Sequence, residues 1–248
     1  MRIAIISDIH EDIENLRKII GRIEKSGYDQ MVCLGDISGF SHPYYKYHKT
    51  RNAHECLSLL REKCDIIVPG NHDFHAARRI PEHSAVFDFP SDWYEMDHRE
   101  RVRLANGEIW LHETDDLDPL YRAGDLEFLR SLPEYHILNT PGGNILFSHY
   151  AYPNLSGLKQ GFYIQEKEFR SHFDFMEQKG CNTGFTGHAH VRGFYVVTPG
   201  HFRHYRYRRY QLDTFPVCIG VHPVTSHKKR SGFCIFDTDS FQLQAIKS

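Results

Sequence analysis

The chain has few of the features that mark secreted, membrane or strongly charged proteins. Its six cysteines include no Cys-x-x-Cys pair, so we expect reduced thiols rather than a paired-cysteine zinc or redox site. The formal net charge is only −2, which gives no overall argument for nucleic acid or an acidic membrane as partner. No apolar run approaches the ~20 residues of a membrane helix, and no cationic start precedes an apolar stretch. These absences predict a cytoplasmic protein with no membrane segment.

The length of 248 residues with 40% hydrophobic composition is within what one sandwich domain can occupy. The sequence shows no internal repeat and no low-complexity linker. We therefore predict a single domain over residues 1–248.

The first third of the chain alternates strand-like and helix-like segments. An apolar run at residues 3–6 is followed by helical spacing over residues 12–25, where Asp12 can cap the start and Gly27 the end. A second helix is predicted at residues 51–62. Right-handed crossovers would make the first three strands parallel.

From residue 190 onward the pattern changes to short strand-like runs with turn breaks and no good helix. The runs cover residues 193–198, 205–212, 216–220, 232–237 and 241–246, and they predict a largely antiparallel second sheet. Together the two halves predict an α/β (α+β) fold: a four-layer α/β-β/α sandwich of two mixed sheets flanked by helices.

Five short polar motifs follow apolar runs in order along the chain. They are Asp8-Ile9-His10, Gly35-Asp36, Gly70-Asn71-His72-Asp73, Ser148-His149 and Gly187-His188-Ala189-His190. Strand ends deliver such residues to one edge of a sheet. Two neighbouring divalent ions need a bridging carboxylate with imidazole, carboxylate and amide ligands around it. Each motif is short, but the ordered set of five predicts a two-metal phosphoesterase centre.

This ordered set resembles the calcineurin-like metallophosphoesterase superfamily over residues 8 to 190, and the resemblance implies the same sandwich fold. It implies two divalent ions, with Mn, Fe, Zn, Mg and Ni all compatible with such ligands. One ion would be held by Asp8, His10, Asp36 and His190, and the other by Asp36, Asn71, His149 and His188, so that Asp36 bridges. His72 would act on the phosphate or leaving group without ligating, and Asp73 would orient its imidazole.

Plainer roles exist for each of these residues. Asp8 or Asp36 alone could be a turn or cap residue, and Asn71 could occupy a left-handed turn. The chain has 18 histidines, so most must have other roles. Surface or core positions are the default for His42, His48, His54, His98, His136 and His227.

Departures from relatives bear on the substrate. No arginine follows Gly35-Asp36, where residues 37–40 read Ile-Ser-Gly-Phe, and Pro69 precedes Gly70. In the superfamily, protein phosphatases and symmetrical dinucleoside tetraphosphatases carry an arginine shortly after Gly-Asp, and the protein phosphatases carry another directly before Gly-Asn-His. Guanidinium forks clamp phosphate with charge and orientation together. Residues 52–61 and 128–133 are similar to small prokaryotic, diadenosine-tetraphosphatase-like members. A phosphodiesterase is therefore the leading prediction, with a phosphomonoesterase or dinucleoside polyphosphate hydrolase as alternatives and a metal-binding scaffold as the non-enzymatic one.

Substrate contacts are less marked in the sequence. Arg78 and Arg79 could supply a positive clamp or cap a helix, and His222 could line the site or cap a strand. Residues 39–49 are aromatic and basic, which suits either base stacking or a surface loop packed on its tyrosines. Residues 204–210 alternate tyrosine and arginine, and we favour a half-buried strand over a nucleic-acid surface. The expected partner is a small phosphoester or nucleotide, and the oligomeric state stays open.

Overall fold

Two six-stranded sheets, packed face to face, occupy the centre of the structure. The computed structural model describes residues 1–84, 87–225 and 231–248, so His227 lies outside the described residues. The strands are β1 (Arg2–Ile6), β2 (Gln30–Cys33), β3 (Phe40–Ser41), β4 (Ile66–Ile67), β5 (Asp116–Leu117), β6 (Tyr135–Leu138), β7 (Asn144–Ser148), β8 (Cys181–Thr186), β9 (Phe194–Thr198), β10 (His201–Tyr205), β11 (Arg209–Gln211), β12 (Val217–Gly220), β13 (Gly232–Asp237) and β14 (Gln242–Lys247).

Helices lie between these strands, and several of them pack on the outer faces of the sheets. They are α1 (Ile13–Ser26), α2 (Ala53–Lys63), α3 (Asn71–Ala77), α4 (His98–Ala105), α5 (Asp125–Ser131) and α6 (Arg170–Gln178), with 3-10 turns at His112–Thr114 and Glu166–Phe169. None of these described helices is long and apolar enough to cross a bilayer.

The first sheet has the order β11-β14-β13-β1-β2-β4, and the second has the order β10-β9-β12-β8-β7-β6. In the first sheet β1, β2 and β4 run parallel, which confirms the predicted βαβ start. Their side chains Ile5 and Val32 pack against Phe147 and Phe185 of the second sheet in one buried cluster. The core between the sheets therefore joins both halves of the chain.

Helices complete the four layers. Leu16 and Ile20 of α1 and Leu57 of α2 pack on the outer face of the first sheet, while Met176 of α6 packs on the outer face of the second. The predicted four-layer sandwich is confirmed. The local signals of α1 also hold, because Asp12 accepts a hydrogen bond from the Asn15 amide at its start and Gly27 adopts φ 72° at its end.

The prediction for the strands after residue 190 was wrong in two respects. The predicted strand 205–212 is two strands, β10 in the second sheet and β11 in the first, because the chain crosses between sheets at residues 206–208. Tyr205, Tyr207 and Tyr210 pack against the core between the sheets at this crossing. The tyrosines of the alternating segment 204–210 thus pack against the core where the chain passes from the second sheet to the first.

The second sheet is mixed, as the predicted fold of two mixed sheets requires, because β8 pairs in parallel with both β7 and β12 while the other neighbouring pairs are antiparallel. β13 and β14 return to the first sheet beside β1. All but the last residue of β13 is buried, and a strand buried on both faces requires a central position with neighbours on each side. The prediction that the strand-like runs 232–237 and 241–246 belong to the second sheet was therefore wrong.

A small two-stranded sheet was not predicted. β3 pairs antiparallel with β5, and this pairing joins the segment after Asp36 to the segment before α5. The pairing brings Asp116 of β5 towards the polar ends of the parallel strands, where the predicted site residues lie.

The core between the sheets should dominate stability. Truncating Phe185 to alanine removes a fully buried ring, and we expect a loss of about 3–5 kcal/mol in the free energy of unfolding. Leu120→Ala is the matched control, since Leu120 is 75% exposed and should change stability by less than about 0.5 kcal/mol. Urea unfolding followed by circular dichroism measures both, and equal effects of the two variants would contradict the assignment of this core.

Candidate dinuclear metal centre

The predicted ligands follow five parallel strand ends that open on one crevice between the sheets. Asp8, Asp36 and Asn71 follow β1, β2 and β4 of the first sheet, while His149 and His188 follow β7 and β8 of the second. Backbone hydrogen bonds link the loops, including Asp8 N to Gly35 O at 2.9 Å and Gly187 N to His149 O at 2.8 Å. The five motifs are therefore brought together by the sheet topology.

One group of ligand atoms consists of Asp8, His10, Asp36 and His190. The Nε2 atoms of His10 and His190 lie 3.0 Å apart, and His190 Nε2 lies 3.2 Å from Asp8 Oδ1. His10 Nε2 lies 3.9 Å from Asp36 Oδ2. Two imidazole nitrogens and two carboxylates converging on one point form a mixed nitrogen and oxygen donor set suited to a divalent cation.

The second group is formed by Asp36, His149 and His188, with Asn71 beside them. His149 Nε2 lies 3.2 Å from both Asp36 Oδ2 and His188 Nδ1. The amide oxygen of Asn71 is 3.0 Å from His188 Nδ1 and 3.2 Å from His149 Nε2. Asp36 thus belongs to both groups, as a bridging carboxylate would.

Backbone carbonyls fix two of the imidazole rings. His10 Nδ1 lies 2.9 Å from Gly39 O, and His149 Nδ1 lies 2.6 Å from Leu34 O. A ring that donates from Nδ1 carries its lone pair on Nε2, and in both residues Nε2 is the atom that faces the ligand group. Such outer partners orient metal-binding histidines.

The backbone of these loops adopts left-handed conformations at non-glycine residues. The positive φ angles are 55° at Asp8, 49° at His10, 52° at Asp36, 63° at His188 and 46° at His190. Each such residue costs on the order of 1–3 kcal/mol and persists only where the surroundings impose it. Their concentration at one edge is typical of a functional site.

Two glycines allow the loops to approach the ligands closely. A Cβ atom on Gly70 would lie 2.2 Å from Asp36 Oδ1, and one on Gly157 would lie 2.7 Å from His188 Nδ1. Neither contact leaves room for a side chain. Gly157 was not identified from the sequence because it belongs to no motif.

The electrostatics of the buried groups suit cation binding. Burial lowers the pKa of His10 and of His188 to about 3, so both imidazoles are neutral and available as ligands. Burial opposes the charge of Asp8, yet neighbouring His190 lowers its pKa to about 2. Burial also lowers the pKa of His149, but Asp36 outweighs it and raises the pKa to about 9. A bound cation would displace that proton, since a ligating imidazole is neutral.

The carboxylate that contacts His72 is Asp116. His72 Nδ1 lies 2.5 Å from Asp116 Oδ2, and the His72 ring is 4.9 Å from the ring of His10. His112, from the neighbouring 3-10 turn, lies with its ring 4.1 Å from that of His72, and its Nε2 is 3.2 Å from Asn71 Nδ2. Burial lowers the pKa of His72, but Asp116 and Asp36 together raise it to about 9.

The prediction that Asp73 orients the His72 imidazole was wrong. The Asp73 carboxylate accepts hydrogen bonds from the amides of Ile37, Ser38 and Gly70 and from the Ser38 hydroxyl, at 2.8 to 3.2 Å. These bonds tie the loop after β2 to the start of α3. With its oxygens occupied by these donors, Asp73 shapes the loop that carries Asp36.

The predicted substrate contacts lie outside the two groups of ligand atoms. Arg78 ends α3 in a left-handed conformation, and Arg79 donates to Leu132 O with its guanidinium over the Phe74 ring. His222 is buried, and its Nδ1 lies 2.8 Å from Gly193 O. Arg78 therefore caps the end of α3, which was the alternative to a phosphate clamp. His222 lies in the core and not among the ligand atoms.

The aromatic segment 39–49 packs on the ligand loop. The Tyr45 ring is buried 5.1 Å from the His10 ring, and the Tyr47 hydroxyl donates to His10 O at 2.9 Å. Phe40 is buried as well. The structure therefore agrees with the alternative of a loop packed on its tyrosines. Tyr45 and Tyr47 contact His10 and hold it in position.

Sequence reasoning missed Asp116, His112, Gly157 and Phe162. Phe162 lies with its ring 5.1 Å from that of His188 while being 47% exposed. The spacing of His112 and Asp116 is four residues, but a pair of this kind is too common to indicate a site. Only the β3–β5 pairing shows that they reach His72.

Comparison with known proteins identifies the family. A family model described as calcineurin-like phosphoesterase matches residues 1–213. The chain belongs to the calcineurin-like phosphoesterase family. As a member it is a metal-dependent phosphoester hydrolase, and members are typically dependent on two metal ions. The grouped ligand atoms described above fit that requirement.

Individual proteins similar to this chain are distant from it in sequence. The chain is 26% identical over 251 residues to the uncharacterized protein MJ0912 of Methanocaldococcus jannaschii, covering 99% of this chain and 86% of that one. A metallophosphoesterase structure from Sphaerobacter thermophilus is similar with a TM-score of 0.68 at 19% identity, over 100% of this chain and 87% of that chain. The hypothetical protein PH1004 from Pyrococcus horikoshii OT3 gives a TM-score of 0.58 at 12% identity, over 99% and 87%. These two structures support the fold alone.

Replacing Asp36 by asparagine should abolish binding of both ions, because a neutral amide cannot bridge two cations in place of a carboxylate. Elemental analysis after Mn²⁺ loading and desalting measures the effect, with near two ions expected for the wild type and near none for the variant. Asp174→Asn is the control, since this carboxylate is exposed on α6. Metal content near wild type in Asp36→Asn would contradict the shared-ligand geometry.

Replacing Asp116 by asparagine should leave metal content unchanged but remove the anionic partner of His72. We expect kcat to fall by about 10²-fold on esters with poor leaving groups and much less on p-nitrophenyl esters, because general acids matter most for basic leaving oxygens. Asp115→Asn, at the exposed neighbouring position, is the control. A uniform loss across leaving groups would assign Asp116 a structural role only.

Proposed function

We propose that the protein is a phosphodiesterase built as a single domain over residues 1–248. The observation that carries the catalytic centre is the position of Asp36, whose Oδ2 lies 3.9 Å from His10 Nε2 in one group and 3.2 Å from His149 Nε2 in the other. We assign one ion to Asp8, His10, Asp36 and His190, and the other to Asp36, Asn71, His149 and His188. β13 and β14, beyond the matched residues 1–213, complete the first sheet beside β1, which supports one domain.

Two bound divalent ions supply an activated water and neutralise the charge on the phosphate oxygens. The protein's own contribution to the leaving group comes from His72. Its Nδ1 is held by Asp116, which leaves Nε2 to donate a proton to the departing oxygen. Its backbone amide donates to Asp36 Oδ1 at 3.0 Å, so the general acid and the bridging ligand are fixed to one another.

Local charge supports a diester over a monoester. A phosphodiester carries one negative charge, whereas a monoester carries close to two at neutral pH. Among the described residues no lysine or arginine forms an ion pair with Asp8 or Asp36. Two of the arginines near the loops pair with other carboxylates, Arg51 with Glu11 and Arg101 with Glu113. With Arg79 also engaged, none of these three described arginines supplies the guanidinium fork that suits a dianionic group.

The metal pair stays open, since Mn, Fe, Zn, Mg and Ni all accept mixed nitrogen and oxygen ligands. We propose a small phosphoester or nucleotide as substrate. The cytoplasmic location remains a prediction from the sequence, and nucleic acid remains a partner that the sequence does not favour.

The deciding experiment compares initial rates on bis(p-nitrophenyl) phosphate and p-nitrophenyl phosphate with Mn²⁺ present. Asp36→Asn serves as the blank. We expect faster cleavage of the diester, because the described arginines Arg51, Arg79 and Arg101 are engaged with other groups and do not meet the second charge of the monoester. Faster monoester cleavage would identify a phosphomonoesterase, and rates equal to the blank on both would favour the scaffold alternative.

A further inference from the structure

An exposed aromatic ring stands beside the second group of metal ligands. Phe162 is 47% exposed, yet its ring centroid lies 5.1 Å from that of His188, with the ring planes inclined at 52°. His188 itself is buried and faces Asn71 and His149 through Nδ1. One side of the phenyl ring therefore packs on a ligand residue while part of it remains open to solvent.

The loop that carries Phe162 is fixed at both ends. On its N-terminal side Gly157 packs against the His188 ring, and hydrogen bonds join Trp110 N to Leu158 O and Gln160 N to Glu108 O at 2.9 and 2.7 Å. On its C-terminal side the Tyr163 amide donates to the Tyr150 hydroxyl, and the Tyr150 ring lies 4.5 Å from that of His188. Phe162 is thus held in place between two anchored points.

Exposed apolar side chains are common, and most need no explanation. Ile164, two residues further on, is 69% exposed and represents that ordinary case. Phe162 differs because it has a flat ring that contacts His188, a ligand residue of the proposed centre. The loop that carries it is also anchored on both sides of Phe162. A planar group of a bound substrate can stack on such a ring, and base stacking on aromatic side chains is tolerant of base identity.

We infer that Phe162 is a stacking surface for the base of the substrate, so that the preferred substrates are phosphodiesters of nucleosides rather than of simple alcohols. This inference rests on the proposed phosphodiesterase function and names its substrate class. Stacking places the nucleoside over the rim of the second metal group, with the phosphate directed to the crevice between the ligand groups. Phe162 is a specificity residue, since it contacts the part of the substrate that does not react.

Two esters with the same leaving group test this inference. Thymidine 5′-(p-nitrophenyl phosphate) carries a base, and methyl p-nitrophenyl phosphate replaces the nucleoside by methyl. In Phe162→Ala we expect kcat/KM on the thymidine ester to fall roughly 5- to 100-fold, mainly through KM, and to change less than twofold on the methyl ester. Phe162→Trp should restore the preference for the thymidine ester, and Ile164→Ala should alter neither rate. Equal losses on both esters, or none, would overturn the inference.

A binding measurement separates this inference from the proposed function. The chain has two tryptophans, so Phe162→Trp adds one reporter at the rim, and wild-type fluorescence supplies the background. We expect thymidine 5′-monophosphate to quench the added signal at concentrations where deoxyribose 5-phosphate does not. Quenching by the nucleotide would support the stacking surface whether or not the wild type hydrolyses the two esters. Failure of the wild type to hydrolyse either ester would reject the phosphodiesterase function. Identical responses to the two phosphates would reject the stacking surface while leaving the hydrolase activity to its own test.

Discussion

The close approach of two buried carboxylates, Asp8 and Asp36, is the constraint on which the rest of the structure depends. Both are almost completely buried, and burial of unpaired anions is costly unless positive charge or cations compensate it. The imidazoles of His149 and His190 provide partial compensation at 3.2 Å. Two divalent cations would compensate fully, which explains why the fold keeps these anions inside rather than at the surface.

Holding them there requires backbone geometry that ordinary strands and helices do not supply. The left-handed residues at the strand ends turn the chain sharply so that side chains from two sheets face one crevice. Gly70 provides the space that Asp36 needs, and Asp73 bonds to three backbone amides that hold the loop in this form. The free energy for this strain comes from the apolar core between the sheets, where Phe147 and Phe185 are fully buried.

The parts that could be predicted from the sequence are those with local signals. Such signals are determined within a few residues. The cap at Asp12 and the helical period predicted α1, and the motifs after apolar runs predicted the candidate ligands. Sheet membership after residue 190 depends on pairing between distant strands, so the split of β10 from β11 was missed. Asp116 was missed for the same reason, because its contact with His72 depends on the long-range β3–β5 pairing and on no motif.

The residues missed by sequence reasoning differ in position from the motif residues. The motif residues supply the candidate ligand atoms, while segments between the motifs lie beside them. One such segment carries His112 and Asp116 to His72, and another carries Phe162 to His188. The two segments are joined by the isolated bridge between Ile109 and Lys159, so the carboxylate partner of the proposed general acid His72 and the proposed stacking residue Phe162 belong to one connected rim. On these proposed roles, a change in this rim alters leaving-group chemistry and substrate choice together and leaves the candidate ligands beneath it in place.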